Sequence, residues 1–173
     1  VGLKNQTLIN AVPAFHLPVP LPDTFPKIGY DTPALCIGSC FAEHIARRLQ
    51  THKLPALLNP FGILYNPASI ARAMDYLCGQ RKLQAADLFE HQGLWRHFDF
   101  HSQYAAANKE EAWQNISKSL VAGQDFLHKC DLLLITLGTA YAYERLATGS
   151  TVANCHQLPA RHFRKYRLTV QDC

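Results

Sequence analysis

The run Ala34-Leu35-Cys36-Ile37 breaks at Gly38, meets Ser39 and Cys40, and passes without a spacer into a pattern that sets Phe41, Ile45 and Leu49 on one helical face. A short strand that is apolar at every position needs cover on both faces, so this stretch predicts a buried strand over 34–38 running straight into a helix over 41–52. "LPALLNPFGILYNP" (54–67) predicts a second short strand near 55–58 and a loop of Asn, Pro and Gly. Asn66 as cap and Pro67 at the first helical position start the next helix, which Gly79 stops. "DLLLITLG" (131–138) is a continuous apolar run of the kind that suits a central parallel strand. Before it, residues 88–104 predict a hairpin about Gln92-Gly93, and Asn108 opens the longest helix, to about 128. After it, "YAYERLATGSTVAN" predicts a hairpin around Thr148-Gly149-Ser150. Strand, helix, strand, helix, excursion, helix, strand is the order of a doubly wound α/β sheet, whose ligands sit at the carboxyl ends of the strands. Three turns therefore converge as candidates for one site: Gly38-Ser39-Cys40, Asn59 to Gly62, and Gly138-Thr139-Ala140.

With 173 residues, 48% of them hydrophobic and 17% charged, the chain is long enough for one globular domain with a continuous core. Residues 12–33 hold Pro13, Pro18, Pro20, Pro22, Pro26 and Pro33, so residues 1–33 read as an extended arm and 34–173 as the domain. No apolar run approaches the roughly 18 residues of a membrane-spanning helix. The net charge of +4 is mild and argues against a nucleic-acid footprint. "RHFRKYR" (161–167) interleaves basic and aromatic residues but reads as a solvated connection. Six cysteines without a CxxC pair fit reduced thiols and a cytoplasmic location. No GxGxxG or Walker A motif is present, so no nucleotide cofactor is expected. Thr169-x-x-Asp172 opens a helix signature just before the last residue, Cys173, which predicts a fragment of a longer domain. Nothing in the pattern speaks to oligomeric state.

The first turn carries the most chemistry. Small residues allow a sharp bend, and the helix start that follows offers backbone N–H groups to an anion. Cys40 exploits that setting more readily than Ser39, because a thiolate forms far more easily than an alkoxide. The alternative is a small-residue turn that packs the helix against the sheet. Gly62 in its Asn-rich loop is placed to aim an N–H at the same point, as an oxyanion hole needs, or serves only the turn. Asn154-Cys155-His156 puts polar and reactive side chains side by side after the second hairpin. His91, His97 and His101, about the 88–104 hairpin, are further substrate-lining candidates. Cys36, Cys40 and His44 recur at intervals of four, but this matches no usual zinc spacing, and no metal site is expected.

"GSCFAEHI", "NPFGILYNP", "GLWRHFDFHS", "TLGTAYAYE" and "VANCHQLP" together resemble the GSCFA family, whose pentapeptide is Gly38–Ala42. The family looks like a branch of the SGNH/GDSL-like hydrolases, which implies a three-layer flavodoxin-like α/β fold and chemistry on acyl esters of carbohydrates or small molecules. The resemblance puts Cys40 in the nucleophile's place and Ser39 in that of the neighbouring Asp. Asn59 to Gly62 then resembles the block whose Gly donates to the oxyanion. Gly138-Thr139-Ala140 resembles the Gly-x-Asn block with Ala140 where the Asn would be, so a donor is missing or comes from another residue such as Asn154. The superfamily's Asp-x-x-His base has no counterpart here; the resemblance implies one downstream of Cys173, with His156 as the substitute. A non-catalytic binding domain on the same fold is the competing reading.

Overall fold

The computed structural model describes Pro20 and residues 27–173. Most of the proline-rich arm lies outside the described residues. Its last part makes a turn at Tyr30-Asp31 and brings the Pro33 carbonyl to the N–H groups of Asp131 and Leu132.

Strand β1 (Ala34–Gly38) leads into helix α1 (Cys40–Thr51), and β2 (Ala56–Leu58) follows. Helix α2 (Pro67–Leu77) starts as its sequence dictates: the Asn66 side chain accepts the Ser69 N–H at 2.8 Å and Pro67 takes the first helical position. The hairpin β3 (Phe89–His91) and β4 (Leu94–Arg96) turns on Gln92 and Gly93, both at positive φ, as a two-residue turn with matching twist requires. Helix α3 (Lys109–Leu127) is capped by Asn108, whose side chain accepts the Glu111 N–H at 2.7 Å. Strand β5 (Leu132–Thr136) precedes β6 (Tyr141–Arg145), β7 (Ser150–Val152) and β8 (Phe163–Arg167).

The first sheet is parallel, in the order β2-β1-β5, so the chain has a mixed α/β architecture. One face of β1 carries Cys36, which packs with Ala42 and Ala46 of α1. The other face carries Leu35 and Ile37, which join Ile70, Leu77, Ile116 and Leu120 of α2 and α3 in the main core. A second, antiparallel sheet has the order β7-β6-β8.

Two sequence expectations change. Among the described strands β1, not β5, is central, and β5 lies at an edge with Leu133 and Ile135 39% and 45% exposed. An apolar run reports that a strand is able to be covered, and its place in the sheet is set by its partners. Residues 163–167 are not a connection: they pair with β6 along all five residues, with the Arg164 guanidinium on the Glu144 carboxylate and the Lys165 ammonium over the Tyr141 ring. Arg164, Lys165 and Arg167 are all exposed, on both faces of the strand, so no period-two pattern shows and the strand reads as a charged loop.

Candidate functional site

The three turns meet at the carboxyl ends of β1, β2 and β5, and backbone hydrogen bonds stitch them together. Gly38 adopts φ +138°, and a Cβ there would run into the Thr136 carbonyl oxygen, so only glycine lets β1 and β5 approach so closely at the turn. The Gly38 N–H donates to Asn59 Oδ1 at 2.8 Å, and the Gly38 carbonyl accepts the Leu64 N–H at 2.9 Å. Asn59 itself donates its N–H to the Cys36 carbonyl and receives the Gly62 N–H at 2.7 Å, closing the second turn. From the third turn, the Gly138 and Thr139 N–H groups both donate to the Tyr65 carbonyl, at 2.8 and 3.0 Å. Thr139 Oγ1 accepts the Tyr141 N–H, and the Ala140 carbonyl accepts the Leu168 N–H.

Ser39 and Cys40 are treated differently. Ser39 is 8% exposed. Its N–H donates to Thr136 Oγ1 at 3.0 Å, its hydroxyl shares a 2.9 Å hydrogen bond with that same oxygen, and it caps α1 by accepting the Phe41 N–H. Cys40 is the first residue of α1, and its side chain is exposed. Its own N–H finds no acceptor among the described residues, as expected for one of the four leading amides of a helix. His44, also exposed, lies one turn further along α1; side chains four apart share a helix face, and each leans towards the N-terminus. Cys36, by contrast, is sealed between β1 and α1, apart from the exposed Cys40 and His44. Among the described residues no group of three His, Cys, Asp or Glu side chains is placed to hold a metal ion.

Beside the turns lies a cavity of about 620 Å³ lined by Tyr65, Tyr143, Asn154, Cys155, Phe163 and Lys165 among others. Tyr65 joins it to the turn cluster, since a Cβ on Gly138 would meet the Tyr65 ring at 2.9 Å and the Ser39 Cβ at 3.5 Å. Asn154 donates its N–H to the Phe98 carbonyl and accepts the His156 N–H at Oδ1. Burial pushes the Cys155 thiol up, which leaves it a poor nucleophile. His156 is 3% exposed, at positive φ, with Nε2 bonded to the His97 carbonyl at 2.8 Å and its ring against Phe89 and Phe98. A carbonyl partner makes Nε2 the donor, so Nδ1 is a buried acceptor without a partner among the described residues. Burial lowers the His156 pKa to about 4, the bond to the His97 carbonyl opposing this only in part. The structure thus places Asn154 on the cavity and His156 behind it, in the aromatic core.

The sequence reading passed over Thr136 and Tyr65. Thr136 had a signal, being the one polar side chain inside the apolar run of β5, whereas the hub role of Tyr65 is carried by its carbonyl and leaves no trace in residue type.

The family model described as the GSCFA family matches residues 33–173, which takes in the three turns, both sheets and the β3–β4 hairpin. The chain belongs to the GSCFA family. No curated protein and no solved structure matches it. Among the described residues of this GSCFA chain, no helix is long and apolar enough to cross a membrane.

Proposed function

We propose that this GSCFA chain carries the nucleophile-bearing part of a hydrolase or acyltransferase that acts on an acyl ester of a carbohydrate or small molecule, with Cys40 as nucleophile. The observation that carries this reading is the contrast at the turn: the Ser39 hydroxyl is buried and bonded to Thr136, while the Cys40 side chain stands exposed at the head of α1. The Cys40 thiolate attacks the acyl carbonyl carbon, and the developing oxyanion meets the unspent Cys40 N–H at the positive end of the helix. Collapse breaks the ester C–O bond, the leaving alkoxide takes a proton, and a thioester remains on Cys40. Water or a second hydroxyl then attacks the thioester and restores the thiol, giving an acid or a new ester. His44, exposed one turn further along α1, is the proton carrier in this reading. The neighbouring cavity suits the substrate, since the rings of Tyr65, Tyr143 and Phe163 offer apolar faces and Asn154 and Lys165 offer donors to hydroxyl or carbonyl oxygens.

Release of 4-nitrophenol from short acyl esters tests this. Cys40→Ala should abolish turnover, His44→Gln should lower it by about 10²-fold or more with a changed pH profile, and Ser39→Ala should keep most of it. Turnover that survives Cys40→Ala would contradict the assignment.

A second reading, a binding domain without turnover, is favoured by one observation. The Gly62 amide is committed within the second turn and the Gly138 and Thr139 amides to the Tyr65 carbonyl, so none of these three backbone donors is free for an oxyanion. Saturable binding of an acylated sugar without any turnover would select it.

A further inference from the structure

A second cavity, of about 310 Å³, opens away from the three turns and shares no residue with them. Four separate parts of the chain build it: α2 supplies Arg72 and Tyr76, the segment after α2 supplies Arg81, the loop after β4 supplies His97 and Asp99, and the β6–β7 hairpin supplies Arg145, Thr148 and Ser150. We infer that this cavity is a binding site for the phosphate group of a small phosphate monoester, held by the guanidinium groups of Arg72, Arg81 and Arg145.

The charge balance supports an anion. Two carboxylates also line the cavity, Asp87 and Asp99. Asp99 is already answered: Oδ1 accepts from Arg72 at 3.3 Å and Oδ2 from the Tyr76 hydroxyl at 3.1 Å. That pair fixes the Arg72 guanidinium in place and leaves its other N–H groups free. Arg81 and Arg145 have no carboxylate partner among the described residues. Arg145 lies over the Phe98 ring at 4.7 Å, an arrangement that orients its planar fork while leaving its edge to a ligand, and Arg81 lies against Tyr76, 5.3 Å from the ring centre, with the Tyr76 hydroxyl also within its reach. The Thr148 and Ser150 hydroxyls, hydrogen-bonded to each other at 2.6 Å, leave one O–H donor on the hairpin side.

The wall thus sets three guanidinium groups against the two carboxylates, an excess of one positive charge, with Asp87 itself exposed. His97 is 4% exposed, and its Nδ1 accepts the Asp99 N–H at 3.0 Å, which puts the proton on Nε2. That Nε2–H is a buried donor with no acceptor among the described residues. Three planar guanidinium groups and a hydroxyl donor answer the several oxygens of a phosphate better than the two of a carboxylate. The volume leaves room for a small organic part beside the phosphate.

Calorimetric titration of the full chain at constant ionic strength tests the assignment, with inorganic phosphate, glucose 6-phosphate and malonate as probes. Phosphate and glucose 6-phosphate should bind at one site, and malonate should bind at least about tenfold more weakly. Arg81→Gln and Arg145→Gln should each weaken phosphate by about tenfold or more, while Arg164→Gln, on the outer face of β8, should leave it unchanged. Arg81 is exposed, so its variant should fold, and Arg145→Lys, which keeps the charge but loses the fork, should fall between wild type and Arg145→Gln. Absence of phosphate binding in the wild type, equal binding by all variants, or malonate binding as tightly as phosphate would overturn the assignment.

Discussion

β1 and β5 are parallel neighbours of five residues each, both almost wholly aliphatic, yet they end in turns of different character. Every residue of β1 is buried, because α1 covers Cys36 and α2 and α3 cover Leu35 and Ile37. Leu133 and Ile135 of β5 stand in register with Leu35 and Ile37 and point to the same face, but remain half exposed. The consequence reaches the site. The turn after β1, which presents Cys40, is fixed by packing on both faces of its strand. The turn after β5 follows a strand with one open face, and Gly138 and Thr139 are held by two hydrogen bonds to the Tyr65 carbonyl. The Cys40 turn is thus the one held on both sides, and the third turn the one with an open flank.

Paired substitutions across the register put this contrast at risk. Gly38→Ala should be the most damaging, because it combines a positive φ with a clash on the Thr136 carbonyl; a loss of about 3 kcal/mol or more is expected in urea unfolding. Leu35→Ala should cost about 3 kcal/mol and Leu133→Ala less than about 1, and equal losses would break the comparison.

His156 sharpens it with a polar residue buried as deeply as β1. Its folded pKa of about 4 lies below the ordinary 6.5, so the unfolded chain binds the proton more tightly between those values. Stability from this group is complete above pH 6.5 and is lost as pH falls from about 6.5 to about 4, by about 3 kcal/mol in all. His97, lowered by burial in the same direction, adds to that slope. Urea unfolding across this range should show it, and His156→Gln should flatten it.

Asn59→Ala removes the acceptor for the buried Gly38 N–H and should cost about 1–3 kcal/mol, with looser control of the Cys40 turn visible as faster amide exchange at Gly38. Ile135→Thr, on the open face of β5, should stay within about 0.5 kcal/mol of wild type.

Much of the layout was legible because local signals were strong. Asn66-Pro67 and Asn108 mark helix starts by side-chain chemistry that needs no tertiary partner, and Gln92-Gly93 announces its own turn. The convergence of the three turns followed from the strand order alone. The order within the sheet was not legible: an aliphatic run such as β5 reads the same at the centre and at an edge, and β8 hid behind its arginines and lysine. At the site, residue type pointed to Ser39 and Cys40 together. Thiol chemistry already favoured Cys40, but that Ser39 is tied to Thr136 while Cys40 faces solvent was not legible, because hydrogen-bond partners 97 residues apart leave no mark on local sequence.

The central claim rests on that separation, and acyl labelling tests it most directly. Full chain incubated with an activated acyl ester at neutral pH, then mapped by peptide mass spectrometry, should carry one adduct on Cys40 in the wild type and in Ser39→Ala and none in Cys40→Ala. An adduct that persists in Cys40→Ala and vanishes in Ser39→Ala, or a wild type that takes no label, would contradict the account.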